Sequence, residues 1–382
     1  ILILGVTVFI AVYYYHDPSR KILFFGSELK TISGLPDFKK RINWDAWNVF
    51  LRLGFLLDDD TFFKNVYFLP QGSVLRFDMK KIVIQNYWNC QKVEKKETFD
   101  EKEDVDNLVH LLRQSVKRRV IPGKKVAVFL SGGLDSSGIT AELKRQGADL
   151  KTFTTRKFNV LDEDQMSAEF VARSLNVENT FYDLPEDFLA KYEEMKNEML
   201  DFQCREHAWL LPLTEKIPMD IKINFDGLGF DFMCDTWVHD ESFTPYRRMI
   251  DEHRYEDFVK NWYYSPKGYH YLLWPVKDRR SDFIFLSGSI RKKFSKEAFF
   301  EKVSNQFKKV EGTQAPYVFY HLLTRARRCV ATSVYGLIVN RLESFCPYLD
   351  NDFFDYLMTL PLKARMNRVL RSKILKRGYP EL

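Results

Sequence analysis

The stretch VAVFLSGGLDSSGIT at residues 126–140 constrains the fold of this chain more than any other. Its five leading apolar residues show no polar alternation, which reads as a strand covered on both faces. That strand runs through Leu130 straight into Ser131, Gly132, Gly133, Leu134, Asp135, Ser136 and Ser137, and helix-compatible residues follow. A tight turn needs one or two such residues, not two glycines, an acid and three hydroxyls together. Gly132 and Gly133 let backbone amides approach an anion with no Cβ in the way. Ser131, Ser136 and Ser137 offer hydroxyl donors, and the following helix turns its positive N-terminus toward the same point. A lone carboxylate would repel a phosphate there, so Asp135 makes sense if it holds a Mg²⁺ that bridges to the phosphate. The stretch is not a Walker A loop, because no GxxxxGK[ST] pattern is present.

The surrounding pattern gives the architecture. Residues 1–92 read as β-rich, with strand-like runs at 22–25, 74–77 and 82–84, and a helix at 44–57. The apolar run ILILGVTVFIAVYYY at residues 1–15 is short for a membrane span and rich in β-branched and aromatic residues, so it reads as buried strand. A polar, charged stretch at 93–104 reads as a linker. Beyond it strands at 126–130, 150–155, 180–183 and 221–225 alternate with helical segments, which predicts an α/β domain with a parallel sheet covered on both faces. From Asp240 onward no clear strand is visible and amphipathic stretches predict helices. In such sheets ligands bind beyond the carboxyl ends of the strands. Two further strand-end loops therefore join the first as site candidates: Thr154 and Thr155, and the DGLGFD run from Asp226 to Asp231, with Asp231 as a second carboxylate.

Composition excludes little beyond this. The chain has 382 residues, room for two domains, and a net charge of +6 that does not by itself require nucleic acid. Basic clusters at 117–119, 277–280, 291–293 and 325–328 read as solvated helix faces. The five cysteines (Cys90, Cys204, Cys234, Cys329 and Cys346) show neither CxxC nor zinc-ligand spacing, and read as reduced thiols of a cytoplasmic protein.

The loop SGGLDSS resembles the SGGxDS loop of the PP-loop ATP-pyrophosphatases. The order of the further matches resembles the asparagine synthetase B family: ILFFGSELKTI at 22–32, FLPQGSVLRFD at 68–78, DGLGFD against a GEGxDE loop, ESFCPYLD at 343–350 against E-x-R-x-PFLD, and RVLRSKILKRGYPEL at 368–382 against K-x-x-LR…LP. That resemblance implies a PP-loop (HUP-like) parallel sheet with a helical C-terminal region, preceded by part of a β-rich Ntn-type glutaminase domain. The division would be a glutaminase-like 1–92, a linker at 93–104 and a synthetase domain at 105–382. It implies ATP bound by Leu130, residues 131–137, Thr155 and Gly227, and Mg²⁺ on Asp135 and Asp231. The implied partners are a small carboxylate and an amine or ammonia donor, with a homodimer left open and neither nucleic acid nor membrane expected. The sequence also departs from the family. Leu228 and Phe232 replace the two glutamates of the GEGxDE loop, Phe345 replaces the arginine of the E-x-R-x-PFLD stretch, and no cysteine stands at position 1 to act as glutaminase nucleophile. Lys373 and Lys376 read as helix surface rather than as the family's late lysine. A PP-loop tRNA-modifying enzyme and a non-catalytic binding or scaffold relative remain alternatives.

Overall fold

The computed structural model describes residues 2–4, 11–156, 163–204, 206–234, 244–265, 283, 286–366 and 368–382. The chain packs as two units. Residues 1–92, 200–206 and 237–333 form the first, and residues 93–199, 207–236 and 334–382 form the second.

In the first unit the N-terminal part carries β1 (Leu2–Leu4), β2 (Tyr13–Asp17), β3 (Ile22–Gly26), β4 (Val66–Phe68), β5 (Ser73–Phe77) and β6 (Ile82–Asn86). They make two antiparallel three-stranded sheets in the orders β1-β5-β6 and β3-β2-β4. The apolar N-terminal run is thus strand at both its described ends, while 5–10 lie outside the described residues. Two helices, α1 (Leu29–Ser33) and α2 (Trp44–Leu53), lie between these strands in the chain. The Asn43 side chain caps α2 by accepting from the Ala46 N–H, and Gly54 ends it at φ +84°. The expected helix at 44–57 therefore stops at Leu53, because Gly54 turns into a left-handed conformation that the apolar pattern does not report. Trp47, Phe50 and Phe62 fill the core beneath, with Trp47 and Phe62 stacked at 4.4 Å.

Of the helices expected beyond Asp240, several form in this same unit, including Tyr255–Tyr264, Lys296–Lys308 and Leu322–Ala331, and the rest belong to the second unit. The basic run at 325–328 corrects the sequence reading, since Arg325 and Arg328 are buried rather than solvated. Arg325 pairs with Glu206 at 2.6 Å, and Arg328 donates to the carbonyls of Asp58 and Asp60 at 3.1 and 2.6 Å. A carboxylate partner for Arg325, and carbonyl partners with the Phe68 ring face for Arg328, let these guanidinium groups leave water. The cluster at 277–280 lies outside the described residues. All five cysteines are buried free thiols.

The second unit opens with α3 (Glu101–Arg119) and continues β7 (Lys125–Phe129), α4 (Leu134–Arg145), β8 (Asp149–Arg156), α5 (Glu163–Ser174), β9 (Asn179–Asp183), β10 (Ile223–Phe225) and β11 (Glu343–Phe345). Its five strands form one parallel sheet in the order β11-β10-β7-β8-β9. The sequence shows no strand after Asp240, so β11 is a correction: three residues are too few to display a period, and only pairing with β10 makes them a strand. The chain winds outward from β7 through β8 and β9, then returns to the other side of β7 with β10. The strand order reverses between β7 and β10, which brings their C-terminal loops side by side.

The segment after β11 braces this edge. Leu349 packs where a Cβ on Gly229 would stand, and Tyr348 donates to the Asp135 carbonyl at 3.2 Å. Asp350, 5% exposed, accepts from Arg119 at 2.7 Å and Arg118 at 3.0 Å, and its side chain caps the helix Asn351–Thr359. Asp350→Ala should therefore remove a cap and the carboxylate partner of Arg119, leaving Arg118 with Asp352 alone, at a cost of about 2 kcal/mol in urea unfolding. A loss below about 0.5 kcal/mol would show that the segment is held by apolar packing alone.

Candidate active site

The first strand-end loop is fixed from both sides. The Leu130 N–H donates to the Phe153 carbonyl at 2.9 Å, and the Leu130 carbonyl accepts from the Thr154 hydroxyl at 2.6 Å. These bonds seat the β7 exit against the end of β8, with Thr155 half-buried one residue further along. Gly132 then turns to φ +75°, and a Cβ there would overlap the Ala168 backbone and Ser167 of α5. Only glycine satisfies both the conformation and the space. The Ser136 and Ser137 hydroxyls donate to the Gly133 carbonyl at 3.3 and 2.8 Å, and the Ser131 hydroxyl lies 3.1 Å from that of Ser136. No side chain caps α4, so its N-terminus is open to an anion.

The second loop lies on the first. A Cβ on Gly227 would stand 2.7 Å from the Ser136 nitrogen, so the 226–229 backbone lies directly against the first turn of α4. Gly229, at φ +106°, redirects the chain into the helix Phe230–Met233, which carries Asp231. This packing couples the two carboxylates electrostatically. Burial pushes the Asp135 carboxyl up to about 7, opposed by the Arg371 guanidinium and the Asp231 N–H, while the Asp231 carboxylate adds to the rise. Burial likewise raises Asp226 to about 6, opposed by the Leu228 N–H and by His207 and reinforced by Asp231.

Arg371 donates from Nη1 to Asp135 Oδ2 at 2.7 Å, and its side chain is 9% exposed. Among the described residues, Asp135 Oδ1 and Arg371 Nε are buried with no hydrogen-bond partner. An orphaned carboxylate oxygen beside a second carboxylate fits a divalent cation, and an orphaned guanidinium N–H beside an uncapped helix fits a phosphate. Among the described residues no group of three or more His, Cys, Asp and Glu is arranged to hold a metal. Two carboxylates are what Mg²⁺ takes when substrate phosphates supply further ligands.

A cavity of about 880 Å³ opens from this loop, with Gly132, Leu134 and Ser137 on one wall, Met166 and Phe170 of α5 on another, and Lys376 of the helix Val369–Gly378 across from them. Lys376 is exposed, as expected for helix surface, yet the cavity takes it as a lining residue. Lys373 instead pairs with Glu101.

The structure thus brings together Leu130, residues 131–137, Thr154, Gly227 and Asp231. Of the substituted positions, Leu228 is half-buried, Phe232 is buried, and Phe345 meets Phe225 edge-on at 5.6 Å. Three residues went unread as site components: Arg371, Tyr348 and Asp226. The LR pair in RVLRSKIL and the Tyr in PYLD stood inside quoted motifs, but nothing local says that either reaches Asp135.

A five-stranded parallel sheet with two glycine-bearing loops at its switch point makes the second unit an α/β fold, and the N-terminal part of the chain is β-rich. The family profile for asparagine synthase matches residues 107–207, and that for the glutamine amidotransferase domain matches residues 10–88. A putative asparagine synthetase [glutamine-hydrolyzing] 2 of Methanocaldococcus jannaschii is 35% identical over 154 residues, 40% of this chain and 29% of that protein. The asparagine synthetases [glutamine-hydrolyzing] 3 and 2 of Bacillus subtilis are 32% and 28% identical, over 34% and 46% of this chain. Over these stretches the chain is similar to the asparagine synthetases, in both the amidotransferase-like and the synthase-like parts. The matches span only 29%, 21% and 25% of these relatives' lengths.

Gly227→Ala tests the loop contact. A methyl group against the Ser136 nitrogen must push the loops apart, and should lower stability by about 1–3 kcal/mol in urea unfolding. An unchanged midpoint would contradict the close approach.

Proposed function

We propose that this chain is an ATP- and Mg²⁺-dependent ligase that adenylates a carboxylate, releases pyrophosphate and passes the acyl group to ammonia or another amine. The observation that carries this reading is the Asp135–Asp231 pair, with its orphaned oxygen, placed against an uncapped helix N-terminus and a hydroxyl-rich glycine loop. Residues 105–382 would form the synthetase domain, 93–104 its linker, and 1–92 the C-terminal part of a glutaminase-like domain.

In this reading the backbone amides of the loop and the first turn of α4 receive the phosphates, with Ser131, Ser136 and Ser137 as hydroxyl donors. Leu130, Thr155 and Gly227 border the nucleotide. Arg371 supplies positive charge beside Asp135, and Lys376 supplies it on the cavity wall. Asp135 and Asp231 would hold Mg²⁺, which supplies charge neutralisation at the phosphates. A carboxylate oxygen of the substrate attacks the α-phosphorus, the bond to the bridging oxygen breaks, and pyrophosphate leaves with the electron pair. The protein contributes positioning and fixed charge rather than a covalent nucleophile. The loss of both GEGxDE glutamates, to Leu228 and Phe232, points to an acid or amine other than those of asparagine synthesis.

The test is carboxylate-dependent exchange of labelled pyrophosphate into ATP, over a panel of acids that includes aspartate. Exchange that requires one class of acid and falls about 100-fold or more in Asp135→Asn is expected. Its absence with every acid, in protein that still binds ATP, would favour a non-catalytic binding module.

A further inference from the structure

We infer that Asp226 is the proton acceptor of the acyl-transfer step, taking the place in this chain of the acid–base groups that Leu228 and Phe232 cannot supply. The inference rests on the adenylating-ligase reading and names the residue that completes its second half.

The placement comes first. Asp226 is the residue directly after β10, at the sheet's switch point. Its own N–H donates to the Phe345 carbonyl at 2.8 Å, and its Oδ1 accepts from the Leu228 N–H at 2.9 Å. These two bonds anchor both ends of the residue, so the half-buried carboxylate is held rather than free to swing into water. The adjacent Gly227 is the point at which this loop touches the Ser136 nitrogen. A carboxyl group is therefore fixed one residue from the α4 N-terminus, where the phosphate of an acyl-adenylate would rest.

Elimination comes second. Asp135 pairs with Arg371 and, with Asp231, forms the candidate metal pair. On the DGLGFD loop this leaves Asp226 as the acid without a metal role, since Leu228 and Phe232 are apolar. The groups around it keep it usable as a base. His207 favours the ionised form and Asp231 opposes it. Cys346 and Tyr335 lie on the β11 side, where the Tyr335 hydroxyl donates to Cys346 at 2.6 Å. Burial holds both of those groups protonated at neutral pH. A carboxylic acid raised toward neutrality is a better proton acceptor than an ordinary aspartate.

The step balances as follows. The amine nitrogen attacks the acyl carbon and forms the C–N bond. Its proton passes to the Asp226 carboxylate, the acyl C–O bond to the adenylate breaks, and AMP leaves with the electron pair. Asp226 then releases the proton to solvent.

The experiment separates the two half-reactions in the full chain. Asp226→Asn is compared with the unmutated protein for carboxylate-dependent pyrophosphate exchange and for amide formation with ammonia. Amide formation should fall about 100-fold while exchange stays within about threefold. Hydroxylamine, which is unprotonated at neutral pH and needs no base, should restore turnover in the variant as hydroxamate, and Asp226→Glu should recover part of the ammonia reaction. Equal loss of exchange and amide formation, failure of hydroxylamine to rescue, or undiminished amide formation would each overturn the role. If the unmutated chain shows no exchange with any acid, the ligase reading itself falls, a result distinct from all of these.

Discussion

The second unit depends on one close approach: the backbone of Gly227 lies against the first turn of α4, where no Cβ fits. Strand order places the loops after β7 and β10 side by side, but topology alone would leave them a side chain apart. Glycine at 132 and 227 removes that spacing, once against α5 and once against α4. The consequence is electrostatic. Asp231 is brought close enough to oppose the ionisation of Asp135, in surroundings that already disfavour its charge. A fold gains nothing from such a pair. It is tolerated because Arg371 reaches in from the C-terminal helix, and because the segment after β11 ties Tyr348 to the Asp135 backbone.

This arrangement separates what holds the site from what the site would do. Asp350, Tyr348 and Leu349 act on stability through caps, ion pairs and packing. The orphaned atoms of Asp135 and Arg371 cost stability, and a bound cation and phosphate would satisfy them. Strain concentrated in this way at one edge of an otherwise well-paired sheet is a feature of sites rather than of scaffolds.

The strand, loop and helix at 126–145 were legible in the sequence because their causes are local: an apolar run, glycines at a turn, and an acid and hydroxyls at a helix start. The parallel α/β layout was legible for the same reason. Arg371 was not, since it meets Asp135 across 236 positions of chain and looks like any basic helix residue. The buried run at 325–328 failed for the converse reason: its partners are the carbonyls of Asp58 and Asp60, which carry no sequence signal. β11 is three residues that become a strand only beside β10. Asp226 was visible as a letter, but its anchoring by Leu228 and Phe345 appears only once the sheet is assembled.

The measurement closest to the central claim is calorimetric titration with α,β-methylene-ATP, which cannot release pyrophosphate, in Mg²⁺ and in excess chelator. The account predicts one saturable site that requires Mg²⁺ and weakens at least about tenfold in Asp231→Asn while the fold is retained. Binding that is indifferent to both the chelator and Asp231→Asn would contradict it. The carboxylate pair would then be a buried structural element, and the phosphate-binding role would have to be sought elsewhere in the chain.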